Sequence, residues 1–243
     1  MMQKRRKCGL LGAKLGHSMS PQIHAKLGGY EYKLHEKLSE EEAKDFILNG
    51  DWDALNVTIP WKKLAFSLCS KVSETAAKLK NVNVIARLGN GEIFGDNTDA
   101  AGFKKLVEEL GLDARGKKCI VLGSGGASKT VQHVLREELG AREVIEVSRS
   151  GEEHNYSNLD YDAEVVVNAT PVGMFPDIDA SPLDLRPFKK CIAVIDLIYN
   201  PSPTRLLEQA SELGIPCIGG MVMLEEQAKL SSRYMVQEAE SER

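Results

Sequence analysis

Several things are scarce in this 243-residue chain, and each scarcity removes a class of function. No Cys-x-x-Cys pair occurs among the five cysteines at 8, 69, 119, 191 and 217, so no metal site is expected. Their odd number and wide spacing fit a reducing compartment, and the expected localisation is cytoplasmic. No apolar run approaches membrane-spanning length. The basic opening Lys4-Arg5-Arg6-Lys7 is followed by only a short apolar stretch, Cys8–Leu11, which glycine interrupts, so it reads as a solvated terminus rather than a targeting signal. Excess positive charge is absent: the formal net charge is −4, which leaves no basic footprint for nucleic acid or an anionic membrane. There is no internal repeat and no low-complexity linker. With 42% hydrophobic and 27% charged residues, the chain has ordinary globular composition and the length for one or two domains.

What is present centres on residues 118–128, Lys-Cys-Ile-Val-Leu-Gly-Ser-Gly-Gly-Ala-Ser. Cys119–Leu122 is a short, partly β-branched apolar run that stops at glycine, as a buried parallel strand does. Gly123 and Gly125 allow a tight turn and a close approach of backbone N–H groups to an anion. Ala127–Leu139 reads as a helix whose N-terminus would face that anion. A second strand follows at Glu143–Ser148. Strand, glycine turn, helix and strand make the first half of a dinucleotide-binding unit. Ser128, however, stands where that fingerprint has Gly or Ala. A purely structural glycine turn is the competing reading.

Taken in order, Cys8–Gly12, Tyr30–Glu36 and Ala54–Val57 read as strands. Ser20-Pro21 reads as an N-cap with proline at the first helical position, opening a helix to about Gly28. Ser18 and Ser20 either satisfy that helix start or present two hydroxyls to a polar ligand. Ser39…Glu42 has capping-box spacing, and that helix ends near Asn49-Gly50. Pro60 suits the first turn of a new helix. Lys62 and Lys63 then stand in that turn, where the dipole disfavours cations; a lysine kept there suggests a bound anion or a nearby carboxylate, against the default of a surface lysine. Val82–Arg87 and Glu92–Gly95 flank Gly89-Asn90-Gly91 as a hairpin. Thr98 or Asp99 can cap the next helix, to Leu110. Residues 150–162 lack helical periodicity and read as a loop or single turn. Ala163–Asn168, Cys191–Leu197 and Ile215–Ile218 are strands, with a helix at Thr204–Leu213. Cys119 and Cys191 read as small buried hydrophobes. A last helix runs from about Val222 to Val236, and the charged tail 237–243 is expected to fray.

The expected fold class is therefore α/β, with two α/β domains flanking a cleft. Residues 1–98 form the first, with the C-terminal segment 221–243 packing back on it. Residues 99–220 form the second, of Rossmann type.

In order and spacing over nearly the whole chain, these motifs resemble the shikimate dehydrogenases. The family's Ser-x-Ser-Pro stands as Ser18-Met19-Ser20-Pro21. Its Asn-Val-Thr-x-Pro-aromatic-Lys stands as Asn56 to Lys62, and its Asn-Thr-Asp as Asn97-Thr98-Asp99. The Gly-x-Gly-Gly-Ala turn lies at Gly123–Ala127 and the Asn-Ala-Thr-Pro-x-Gly-Met loop at Asn168–Met174. Asp196–Thr204 resembles Asp-x-x-Tyr-x-Pro-x-x-Thr, and Met223–Ala228 resembles Met-Leu-x-x-Gln-Ala. Two departures stand out. The family's Gly-Ala-Val-Asn-Thr reads here Lys80-Asn81-Val82-Asn83-Val84, which loses a glycine and a threonine hydroxyl. Ala100 follows Asp99 where glycine is common.

The resemblance implies reversible NADPH-dependent reduction of 3-dehydroshikimate to shikimate, in the chorismate pathway to aromatic amino acids. It implies Lys62 and Asp99 as the catalytic pair. Ser18, Ser20, Thr58, Asn83, Tyr199 and Gln227 would bind the substrate. Gly123, Ser124, Gly125, Gly126, Ala127, Ser148, Arg149, Ser150, Thr170, Gly220 and Met223 would bind NADP. No metal is implied. The expected partner is a small-molecule substrate, without nucleic acid or membrane, on a monomer or homodimer. The second strand ends at Ser148 and carries no acid to repel a 2′-phosphate, and Ser148-Arg149-Ser150 is close to the family's Asn-Arg-Thr. NADP is therefore expected over NAD, with Gly151-Glu152-Glu153 replacing a second arginine and weakening the preference. The competing readings are a quinate/shikimate dehydrogenase of broader specificity and a non-catalytic dinucleotide-binding sensor; retention of Lys62 and Asp99 argues against the sensor.

Overall fold

A computed structural model describes residues 5–16, 18–151 and 154–236. The expectations for the tail 237–243 and for Glu152 and Glu153 lie outside the described residues. The chain divides into two compact units, Met1–Thr98 with Glu225–Arg243, and Asp99–Leu224.

The first unit is a six-stranded sheet. Its strands are β1 (Lys7–Gly12), β2 (Glu31–Glu36), β3 (Ala54–Val57), β4 (Lys71–Val72), β5 (Val84–Arg87) and β6 (Ile93–Asp96), in the spatial order β2-β1-β3-β5-β6-β4. β1 pairs in parallel with β2 and β3; β5 runs antiparallel to β3 and to β6. Its helices are α1 (Ser20–His24), α2 (Glu40–Asn49), α3 (Lys62–Leu68) and α4 (Glu74–Leu79). Period-2 alternation divides the sheet faces. Leu11, Leu55, Val57 and Ile85 face a core with Ala43 and Ile47 of α2, Ala65 of α3, and Trp52 and Trp61. Small residues Cys8, Ala54 and Ala86 face the other way, onto Met235 near the end of the last helix, α8 (Met221–Val236).

Local signals account for most boundaries. Ser39 and Glu42 form the capping box that starts α2. At the other end of α2, the Arg87 guanidinium donates to the carbonyls of Ile47, Leu48 and Gly50 at 3.0, 3.0 and 3.2 Å and lies 4.2 Å from the Trp52 ring. The 89–91 hairpin forms as expected, with Gly91 at φ +88°. Other expectations fail. Ser20 is not the N-cap of α1: Met19 holds that position, and Ser20 is the first helical residue. The Ser18 Oγ accepts the Ser20 N–H instead, at 3.2 Å, so the preceding serine does the satisfying. α1 ends at His24 rather than near Gly28. Pro60 lies outside α3, whose N-cap is Trp61. β4 and α4 were not expected, although Ser73 caps α4 by accepting the Ala76 N–H.

The second unit carries β7 (Lys118–Leu122), β8 (Glu143–Val147), β9 (Val165–Asn168), β10 (Ala193–Asp196) and β11 (Cys217–Gly219), all parallel, in the order β11-β10-β9-β7-β8. Three strands are continuous apolar runs because they are covered on both faces. Helices α5 (Asp99–Glu109), α6 (Gly126–His133) and α7 (Arg205–Glu212) belong to this unit. α6 continues through 134–138 as a wider turn, closed by the Leu139 N–H on the Val134 carbonyl at 2.9 Å. Residues 154–162 contain no helix, as the sequence predicts; Tyr156 and Leu159 from this stretch pack against the core of Ile120, Leu122, Val166 and Val194. Cys119 is fully buried in β7, but Cys191 is only partly buried and precedes β10.

Lys80 tests this account of local structure. It is the only non-glycine among the described residues with positive φ (φ 51°, ψ 37°), and it closes α4 where helices favour glycine. Lys80→Gly is therefore expected to raise stability by about 0.5–1 kcal/mol, the left-handed strain relieved less the entropy glycine costs. Urea unfolding followed by tryptophan fluorescence reads this unit, since both tryptophans, 52 and 61, lie in it. A lowered urea midpoint would show that the lysine side chain contributes more than its backbone costs.

Candidate active site

In the first unit, the carboxyl ends of β1 and β3 and the start of β5 meet at one edge, because β5 runs antiparallel to β3. Gly12 ends β1 and leaves room for the Thr58 methyl; a Cβ there would come within 2.6 Å of it. The Thr58 N–H bonds the Leu11 carbonyl at 2.9 Å, which fixes Thr58 just past β3. Next to it the Val57 N–H bonds the Asn83 carbonyl at 2.8 Å.

The buried Asn83 side chain organises this edge. Its Oδ1 accepts the Thr98 N–H at 2.7 Å, and its Nδ2 lies 2.9 Å from the Thr98 hydroxyl and 3.4 Å from the Gln227 Oε1. The Thr98 hydroxyl in turn donates to the Gln227 carbonyl at 3.0 Å. The structure thus brings Asn83, Thr98 and Gln227 together. The Thr98 hydroxyl thus ties the start of α5 to tertiary partners. Below them, the Tyr32 hydroxyl donates to Asn56 Oδ1 at 2.8 Å and Asn56 Nδ2 donates to the Asn83 carbonyl at 3.4 Å. Burial raises the Tyr32 pKa, opposed by hydrogen bonding to Ser20. His24 stacks on Tyr32, with ring centroids 4.0 Å apart. Ser18 is half-buried and Ser20 buried at the start of α1, and half-buried Lys62 is the first residue of α3.

In the second unit, Asp99 is buried at the first position of α5, where the helix N-terminus favours a carboxylate. The chain leaves β7 toward β8 on one side, while β9 lies on the other. The crevice at their carboxyl ends is the switch point where α/β sheets bind ligands. Gly123 turns there at φ +106°, and a Cβ on it would press within 3.1 Å of the Ala169 carbonyl and the Thr170 methyl. Above Gly125 and Gly126 a Cβ would meet nothing within 4 Å, which leaves a cradle at the N-terminus of α6. Ser124 and Gly125 are exposed, and Gly126 and Ala127 half-buried. Ser128 resolves the apparent flaw in the fingerprint: fully buried, it donates to the Gly123 carbonyl at 2.6 Å and accepts from Gln132 Nε2 at 3.0 Å, pinning the turn to its helix. Ser148 is buried at the end of β8, while Arg149 and Ser150 are exposed beside it. The cradle, the helix terminus and this arginine fit a dinucleotide with a 2′-phosphate.

Gly220 has a different reason to be glycine: the Leu197 carbonyl would lie 2.0 Å from a Cβ. Met223 is buried, two residues into α8. Half-buried Tyr199 follows β10, and burial raises its hydroxyl pKa, keeping it a proton-bearing donor. Five polar residues that the sequence reading did not include in the site hydrogen-bond to its expected members or to one another: Tyr32, Asn56, Ser128, Asn168 and Asp196. The available signal was a buried polar residue ending or interrupting an apolar strand, as in Ala-Leu-Asn-Val and Ala-Val-Ile-Asp. Among the described residues no cluster of His, Cys, Asp and Glu could hold a metal ion, and no helix is long and apolar enough to cross a membrane.

Comparison with known proteins identifies the family. The shikimate dehydrogenase substrate binding domain matches residues 10–85. A protein of Caldicellulosiruptor bescii named shikimate dehydrogenase (NADP(+)) is 34% identical, over 92% of this chain and 86% of that protein. The chain belongs to the shikimate dehydrogenase family. Shikimate dehydrogenase 1 from Peptoclostridium difficile superposes with a TM-score of 0.85 at 28% identity, covering 96% of this chain and 93% of that one. The shikimate 5-dehydrogenase of Thermus thermophilus, solved in complex with NADP(H) and shikimate, gives 0.80 at 29% identity, covering 94% and 92%. The two-domain Rossmann-type fold expected from sequence is that of the family.

His24 gives the substrate half a pH dependence. Burial lowers its pKa from 6.5 to about 4, so the folded protein binds fewer protons than the unfolded chain between those values. Stability from this group is complete above about pH 6.5 and is lost as pH falls toward 4, by about 3 kcal/mol at 1.36 kcal/mol per pKa unit. Urea unfolding at a series of pH values should show that slope in the wild type and a shallower one in His24→Gln. Identical slopes would remove His24 as its source.

Proposed function

We propose that this protein is a shikimate dehydrogenase that reversibly reduces 3-dehydroshikimate to shikimate with NADPH. The observation that carries the reading is the collinear match over nearly the whole chain to proteins named for this activity, at up to 35% identity. The buried polar edge of the first unit and the glycine cradle of the second support it. NADP supplies or accepts the hydride when bound. Substrate binding falls to Ser18, Ser20, Thr58, Asn83, Tyr199 and Gln227, hydroxyls, amides and a phenol suited to a carboxylate and ring hydroxyls.

Reducing a carbonyl builds negative charge on its oxygen, which calls for a proton or a positive charge within hydrogen-bond reach. Lys62 is assigned that role, and Asp99 that of orienting the substrate hydroxyl. Five free thiols support a reducing cytoplasm as the site of action.

A steady-state assay with shikimate and NADP tests the reading at once: turnover supports it, and binding of both without turnover would favour a non-catalytic sensor. Comparable turnover of quinate would favour the broader dehydrogenase. Lys62→Met, which keeps the stem and removes the charge, should lower kcat by roughly 10²–10⁴-fold with little change in KM. Near-wild-type kcat in that variant would end the assignment. Arg149→Ala should raise KM for NADP about 10- to 100-fold, the contribution of one charged hydrogen bond, and leave NAD nearly untouched. An equal loss with both cofactors would mean that Arg149 does not read the 2′-phosphate.

A further inference from the structure

The carboxyl ends of β9 and β10 hold a chain of polar groups, buried at Asn168, Asp196 and Thr204 and half-buried at Thr170, that the reaction itself does not use. Asp196 ends β10 with no surface exposed, and the groups that donate to it are all neutral. Its Oδ1 accepts from Asn168 Nδ2 and from the Ile198 N–H, both at 3.0 Å, and its Oδ2 accepts from the Thr204 hydroxyl at 2.7 Å. Thr204 itself caps α7. The other end of the Asn168 amide, Oδ1, accepts from the Thr170 N–H at 3.0 Å and the Thr170 hydroxyl at 2.6 Å. That hydroxyl also accepts the Val172 N–H at 3.2 Å.

The direction of these bonds follows from donor inventories alone. An ionised carboxylate only accepts, so it draws the NH₂ of Asn168 toward itself and turns the carbonyl oxygen toward Thr170. That oxygen only accepts, so it takes the single proton of the Thr170 hydroxyl. One lone pair of Thr170 Oγ1 is filled by Val172, and the other is left. A Thr170 side chain held this way can only accept from a ligand. Its methyl meanwhile lies against the Gly123 turn, so its place is fixed as well.

We propose that Asn168 is a positioning residue, oriented by the Asp196 carboxylate, which makes the Thr170 hydroxyl an obligate acceptor for an N–H or O–H donor of the cofactor, an amide or ribose hydroxyl rather than a phosphate. This rests on the reading of the Gly123–Thr170 crevice as the cofactor site. It assigns the neighbouring β9 and β10 ends one job. The anion is met by the glycine turn and helix terminus, which donate, and the donor groups of the same cofactor are met by Thr170, which accepts.

NADPH affinity, followed by fluorescence titration, and the KM values for NADP and shikimate test this in Asn168→Ala, Thr170→Val and the double variant. Each single change should weaken NADPH binding by about 5- to 30-fold with the shikimate KM changed less than about threefold, the range expected for one lost hydrogen bond. The double variant should be scarcely weaker than the worse single one, because both changes break the same chain. Fully additive losses, or a shikimate KM that rises as much as the NADP KM, would overturn the proposal. Asn168→Asp offers a check if the alanine variant is unstable. Its carboxyl faces Asp196 across 3.0 Å in the present geometry, so one proton must be shared for the chain to persist. NADPH binding by that variant should approach wild type at low pH and fall about tenfold or more as the shared proton leaves, the loss of roughly one hydrogen bond; binding as insensitive to pH as the wild type would overturn the proposal. A silent Thr170→Val would overturn the acceptor role and leave the crevice reading to Arg149→Ala, whereas a weakened Thr170→Val beside a silent Asn168→Ala would overturn the positioning role.

Discussion

The constraint on which this molecule depends is the cost of ending a buried parallel strand. Where β3, β9 and β10 stop, backbone N–H and C=O groups leave the ladder while still enclosed by protein. An unpaired buried polar group costs roughly 1–3 kcal/mol, so each strand end must bring its own partners. In the first unit Asn56 and Asn83 do this, with the Asn83 amide taking the Thr98 N–H and the Asn83 carbonyl taking the Val57 N–H. In the second unit Asn168 and Asp196 take the N–H groups of Thr170 and Ile198. The side chains that satisfy the scaffold thereby also fix the loops that carry the proposed ligand contacts.

The two edges differ in what they offer. The second unit presents a turn without side chains, with open space above Gly125 and Gly126 and a helix N-terminus behind it, which suits a pyrophosphate. The first presents hydroxyls and amides from short helices and strand ends, which suit a small polyol acid. Specificity in such a substrate site comes from fixed polar groups, because a mismatched ligand leaves them unpaired. The depth of bracing behind Asn83, through Asn56 to Tyr32 and the stacked His24 ring, is consistent with that demand.

Much of this was legible in the sequence. The strands Cys119–Leu122 and Ala54–Val57 announced themselves as apolar runs stopped by glycine or by a polar residue, and the Ser39–Glu42 box started its helix as its spacing required. What could not be read were places where a distant partner overrode a local rule. Ser20-Pro21 has the form of a cap, yet Ser18 supplies the oxygen. Nothing local to Thr98 announces that its hydroxyl reaches Gln227, 129 residues away. β4 and α4 were invisible because a two-residue strand has no period and α4 is only six residues long. Ser128 looked like a defect until its bond to the Gly123 carbonyl gave it a purpose. Lys80 likewise keeps the left-handed backbone that the missing glycine would have adopted without strain.

The central claim is that this chain passes a hydride directly between the carbinol carbon of shikimate and NADP. Its most direct test follows an atom rather than a rate. Shikimate carrying deuterium on that carbon, incubated with the enzyme and NADP, should yield NADPH with one deuterium per turnover, read by mass spectrometry. NADPH formed without the label would contradict direct transfer, and the absence of any NADPH would contradict the proposed activity itself.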